Sequence, residues 1–155
     1  MDETAITEYI TSTFSGVDLV VAQGATFFFY NPDPTVEPDH RFPIVTLVTG
    51  DNFDQFSNLN RPSVYRLNIG VGKQTYRALF GAPPARDGAA EESGYDFTAL
   101  DRVMPHPVYG RQYWVCVLNP SEATFQTAVQ PLLAEAYDLA AGKHTRHAAR
   151  SSAAG

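Results

Sequence analysis

The sequence predicts a single α+β domain: an antiparallel sheet of about five strands, with the first and last helices packed on one of its faces. Three observations carry this expectation. Both ends of the chain hold apolar residues at helical spacing, Ile6, Tyr9, Ile10 and Phe14 near the start and Phe125, Val129, Leu132, Leu133, Ala136, Tyr137 and Ala140 near the end. Between them lie β-branched and aromatic runs broken by short turn-forming stretches, the pattern of neighbouring antiparallel strands. The chain has 155 residues, 44% of them hydrophobic and 18% charged, which suits one domain. That domain is assigned to residues 1–142. Residues 143–155 are charged, small and without period, and are expected to form a disordered tail.

The elements follow in order. Asp2 and Glu3 stand at the positive end of a helix over 3–14, and Gly16 supplies a left-handed stop. Strands are predicted over 17–22 and 26–30, joined through Gln23-Gly24-Ala25 as a tight hairpin. The stretch from Asn31 to His40 is dense in prolines and acids and reads as a surface loop before a strand over 44–49. Residues 50–63 hold Asp51, Asn52, Asp54, Asn58, Asn60 and Pro62, turn-formers that must cross from one strand to the next. Period-two alternation is clearest over 65–71, with Tyr65, Leu67, Ile69 and Val71 on one side and Arg66, Asn68 and Gly70 on the other. A helix over 73–80 ends at Gly81 and Pro83-Pro84, and 82–94 reads as flexible. Phe97, Leu100, Val103 and Met104 tuck a turn or short helix onto the core, and Pro105 and Pro107 force an extended path. The strand over 113–118 is apolar on both sides, so it is placed centrally and covered on both faces. The last helix, over 122–141, is interrupted by Pro131, where a kink or a restart near Gln130 is expected.

Composition excludes several functions. Seventeen acidic against eleven basic residues give a net charge of -6, which argues against indiscriminate binding to a phosphate backbone; nucleic acid is not the expected partner. One cysteine, Cys116, closes no internal disulfide and supplies no thiolate-rich metal site. The acidic start lacks the character of a signal peptide and no apolar run approaches the roughly 18 residues of a membrane span, so a cytoplasmic location is expected.

Motifs for catalysis are sparse. Gly70-Val71-Gly72-Lys73 lies between a strand and a helix, where a phosphate loop would be. Leu67 stands where the first Walker glycine belongs, however, and Gln74 where the magnesium-binding Ser or Thr belongs. No Gly-x-Ser-x-Gly elbow is present, and Ser121 reads as a helix cap. Cys116, among apolar neighbours in a strand, reads as core. Asp33, Glu37, Asp39 and His40 share a loop without matching a metal motif, and His144 and His147 fall in the tail; no metal and no cofactor is indicated. His106, held between Pro105 and Pro107 and followed by Tyr109, is the most distinctive polar group, since imidazole titrates near neutral pH. Arg66 and Asn68 are expected on a solvated strand face, the alternative being a pocket against the 50–63 loop.

Several segments together carry a family resemblance: Phe27-Phe28-Phe29-Tyr30, Arg61-Pro62, Tyr65 to Val71, Leu79-Phe80-Gly81, His106-Pro107-Val108-Tyr109, Trp114 to Ser121 and Leu132 to Tyr137. Over about residues 3–142 the chain resembles the bacterial family grouped as domain of unknown function 6194, a likeness that implies membership without an activity, cofactor or catalytic residue. The order of elements, with a Trp-bearing strand leading into a Tyr-bearing last helix, is also similar to MmcQ/YjbR-like proteins. Their fold implies a double-wing DNA-binding-like architecture. The present chain departs from it in its acidic body, with Arg61, Arg66, Lys73, Arg77, Arg102 and Arg111 scattered among acids.

The resulting expectation is a non-catalytic module that binds a small molecule or a protein through Arg66, Asn68, His106, Tyr109 and Tyr113. Two alternatives stand beside it: DNA binding through a double-wing-like fold, and a small hydrolase or isomerase using His106 as base. The ligand and the oligomeric state are not specified by the sequence.

Overall fold

A computed structural model describes residues 1–32, 42–84 and 94–154, with side chains to Lys143. Most of the 31–40 loop and of the 82–94 interval, with Asp33, Glu37, Asp39 and His40, lies outside the described residues, as do the side chains of His144 and His147. Helix α1 (Glu3–Thr13) starts where the Asp2 carboxylate accepts the Ala5 N–H, an N-cap that supplies one of the partners a first turn lacks. Strands β1 (Val17–Ala22) and β2 (Ala25–Tyr30) form the expected hairpin. Gln23 and Gly24 both have positive φ, 55° and 79°, the requirement of a two-residue turn whose twist matches that of the strands.

Strand β3 (Pro43–Val48) pairs with β2, and β4 (Arg66–Gly70) with β3. Helix α2 (Lys73–Phe80) follows, then a two-residue strand β5 (Met104–Pro105), a 3-10 turn (Gly110–Gln112) and β6 (Trp114–Leu118). The sheet order is β1-β2-β3-β4-β6-β5, every pairing antiparallel, so the observed sheet has six strands where about five were expected. The sixth is β5, the extended path set by Pro105, too short to show a period. Tyr113, expected inside the last strand, instead precedes it in a left-handed conformation with φ 66°.

The C-terminal helix comes in three parts: α3 (Glu122–Thr124), a π-helical turn (Phe125–Val129) and α4 (Gln130–Ala154). Pro131 has no N–H for the Thr127 carbonyl, and its ring would crowd that carbonyl in a regular helix. The chain widens just before it, the Gln130 N–H reaching Phe125 O five residues back. The restart falls at Gln130, as Pro131 predicts, while α4 runs past Gly142. At the start of α3, Ser121 Oγ accepts the Thr124 N–H, the expected cap.

The two faces of the sheet are covered by different material. On one face Phe28, Val45, Leu47, Leu67, Ile69, Val115 and Val117 pack against Ile6 and Ile10 of α1, Tyr76 of α2, and Phe125, Val129, Leu132, Leu133 and Ala136 of the C-terminal helix. The helices thus share one face, as expected, and both partners of each contact are apolar. On the other face Ala25, Val48, Met104, Cys116 and Leu118 lie under chain without regular structure, represented by Phe56, Leu59, Tyr95 and Phe97. Such chain must bond its backbone otherwise than by a ladder. Asp51 accepts the Leu59 N–H, Asn60 the Asp51 N–H and Asp54 the Phe56 N–H. Arg61 donates to the carbonyls of Ser57, Asn58 and Thr98, joining the two covering loops.

Candidate functional site

Strand β4 supplies the polar groups of the loop-covered face, because its even-numbered residues point there. Arg66 is 1% exposed, so the expected solvated face is corrected in favour of the alternative, a position against the 50–63 loop. The guanidinium holds Asp54 through two bonds, Nη1 to Oδ1 at 3.0 Å and Nη2 to Oδ2 at 2.6 Å. It also donates from Nη1 to Ser57 Oγ and from Nε to Asn68 Oδ1, both at 2.9 Å. Asn68 in turn donates to Thr46 Oγ1 on β3 at 2.9 Å. Burial alone would raise the Asp54 pKa, but hydrogen bonding and charge from Arg66 outweigh it and hold the carboxyl below its ordinary value. Among the described residues no buried side-chain polar atom lacks a partner. Cluster and covering loop therefore satisfy one another, which is the arrangement of a structural pin.

His106 reaches the same face from the turn after β5, its backbone N–H bonded to Trp114 O at 2.9 Å. The ring is 5% exposed, and Nδ1 accepts the N–H groups of Val108 and Tyr109 at 3.0 and 2.9 Å. Burial, reinforced by the Arg66 charge and opposed by Asp54, pushes its pKa down to about 3. The ring is thus neutral at pH 7, carries its proton on Nε2 and has its acceptor nitrogen in use. That gives no support to a general base and assigns the imidazole to capping its own turn. Tyr109, half exposed, lies with its ring centroid 5.0 Å from that of His106. Tyr113 goes elsewhere: its ring lies 5.8 Å from that of Tyr76, on the helix-covered face. Of the five candidate binding residues, Arg66 and Asn68 touch, His106 and Tyr109 touch, and Tyr113 stands apart.

The other candidates resolve into structure as well. The start of α2, where an anion could have bound, is filled from within: Glu135 of α4 accepts the Gly72 N–H through Oε2 at 2.9 Å and the Thr75 hydroxyl through Oε1. Glu135→Ala is expected to lower stability by about 1 kcal/mol, the usual value of a lost N-terminal cap, and thermal unfolding against wild type reads it. Cys116 is wholly buried and donates to Pro105 O, with its pKa pushed up to about 12 by burial. Of the basic residues that could have formed a nucleic-acid surface, Arg61 and Arg66 are engaged within the fold. No group of three metal-ligating side chains occurs among the described residues, and no helix there is long and apolar enough to cross a membrane.

A feature with no single-residue signature in the sequence is the contrast between the sheet's two edges. One edge, β5, is two residues long and contains a proline, both of which discourage a further strand. The other, β1, is six residues long and exposed along nearly its whole length, with Leu19, Val20 and Val21 at 41, 51 and 69%. The hairpin closes on the Ala22–Ala25 pair, and Gly16 O accepts the Asn31 N–H. Even-numbered residues therefore bond to β2, while Val17, Leu19 and Val21 direct their N–H and C=O groups outward.

The fold and these two features define an α+β protein with a pinned, loop-covered sheet face and an open strand edge. The chain belongs to the family of unknown function named domain of unknown function 6194, whose family model matches residues 1–149. No curated protein and no solved structure matches it.

Proposed function

We propose that this protein is a non-catalytic protein-binding module whose contact element is the open edge of β1, which receives an extended segment as a further antiparallel strand. The observation that carries this reading is the six-residue, mostly apolar edge whose outward backbone groups have no partner among the described residues. No proline, lysine or bulge interrupts Val17–Ala22. Its one charge, Asp18, accepts Asn31 Nδ2 at 2.8 Å. The polar cluster at Arg66 supports the same reading by being internally satisfied, which leaves a small polar ligand little to bond.

An extended peptide of alternating valine and threonine, added to about 1 mM, tests this by amide chemical shifts. The amides of Val17, Leu19 and Val21 are expected to move and those of Asp18 and Val20 to move less. Leu19→Pro, which removes an outward donor but no β1–β2 bond, is expected to abolish the response. Uniform insensitivity of the β1 amides in the wild type would overturn the proposal.

A further inference from the structure

We infer that the segment received at this edge is β1 of a second copy of the chain, the two strands crossing antiparallel on a two-fold axis at Leu19. This rests on the edge reading above. The argument is one of self-complementarity. A two-fold axis perpendicular to the sheet keeps helix-covered face with helix-covered face, so each residue must meet one that points to the same side. Any register centred on a residue satisfies that condition, and the strand's own bonding pattern separates them. Centring on Asp18 brings only Val17 and Leu19 into bonding positions. Centring on Val20 brings only Leu19 and Val21 into bonding positions. Centring on Leu19 uses all three outward residues, pairing Leu19 with its own copy and Val17 with Val21, for about six backbone hydrogen bonds.

The side chains agree with that register. Val17, Leu19 and Val21 share the helix-covered side, since Leu19 lies opposite the fully buried Phe28 and Val17 opposite Tyr30. Every pair formed there is apolar on apolar. On the other side Asp18 falls opposite Val20 of the second copy, so no charge meets a like charge across the junction. Each chain carries a net charge of -6, so two copies repel at long range while their edges attract at contact. Raising ionic strength is therefore expected to strengthen the dimer, opposite to an ion-paired interface. A contact this small belongs to the weak class, with a dissociation constant on the order of 100 μM.

Sedimentation equilibrium of the full chain up to about 0.5 mM, combined with cysteine cross-linking, tests the inference. The expected result is a reversible dimer that Leu19→Lys makes at least tenfold weaker, and that a mixture of Leu19→Lys and Leu19→Glu restores. Leu19→Cys is expected to form a disulfide dimer on oxidation, because paired Cα atoms at about 5.5 Å fall within bridging range. Val17→Cys and Val21→Cys are each expected to stay unlinked alone, their like positions lying about 14 Å apart along the strand, and to cross-link when mixed. If Leu19→Lys does not fold, the cross-links alone decide. A monomer at every concentration, or a dimer insensitive to Leu19→Lys and unlinked at Leu19→Cys, overturns the inference. In either case amide shifts at Val17, Leu19 and Val21 on addition of the valine–threonine peptide would leave the edge reading standing, and their absence would remove both.

Discussion

Acidification from pH 6.5 to pH 3 is expected to remove about 4 to 5 kcal/mol of folding stability through His106 alone. The ring has an ordinary pKa of 6.5 when unfolded and about 3 in the folded protein, because burial and the Arg66 charge oppose its protonation. Between those values the unfolded chain holds a proton that the folded chain lacks, so stability falls as pH falls, by up to about 1.4 kcal/mol per pH unit. Asp54 extends the loss at the acid end, with the same sign. Its folded pKa lies below 3.8, so its contribution is present above 3.8 and lost as pH falls through the folded value. Urea titrations at half-unit intervals measure the slope. In His106→Asn an amide oxygen can accept the Val108 and Tyr109 N–H groups with no imidazole left to titrate, so its slope should be nearly flat down to about pH 5, where carboxylates such as Asp54 begin to protonate in the unfolded chain. A wild-type protein equally flat over that range would show that the imidazole protonates in place, against the buried environment described here.

The second large effect belongs to the ion pair. Asp54→Ala is expected to cost about 3 to 5 kcal/mol, because it leaves a guanidinium that is 1% exposed without its counter-charge. For a chain of this length that corresponds to a fall in Tm of about 10 °C. Removing the charge as well should recover much of it: in Asp54→Leu with Arg66→Met the cost shrinks to what Ser57 Oγ and Asn68 Oδ1 lose as acceptors of Arg66 and the Phe56 N–H loses as donor to Asp54. The signature is this non-additivity, read from thermal unfolding of Asp54→Leu, Arg66→Met and the double variant. A cost below about 1 kcal/mol for Asp54→Ala would mean that the 50–63 loop lifts readily and lets water reach Arg66.

Local signals explain what the sequence revealed. The Asp2 cap, the Gln23-Gly24 turn and the Gly81 stop bound α1, the β1–β2 hairpin and α2 to within one residue of the observed limits. Pro131 announced the break at Gln130 for the same reason: the restriction lies in the residue itself. The period of β4 likewise assigned Arg66 and Asn68 to one side of the sheet, but alternation does not say what lies over that side. The cover comes from Asp54 and Ser57, whose residue types equally suit a solvated turn, so the pin became visible only in three dimensions. His106 was singled out for its chemistry, yet the backbone amides that engage Nδ1 are a matter of conformation. The open edge was hidden in another way. The run Val17–Ala22 reads the same whether a strand is flanked on one side or on both, and strand order is a property of the whole topology.

The loop-covered face also carries its own optical reporter. The chain holds a single tryptophan, Trp114, whose indole lies so close to Gly70 that a Cβ there would come within 3.0 Å of Cε2, and whose carbonyl accepts the His106 N–H. All the indole fluorescence of the molecule therefore originates beside Gly70 and across from the imidazole turn. A red shift in that emission reads the opening of this end of the sheet around His106, and needs no attached label.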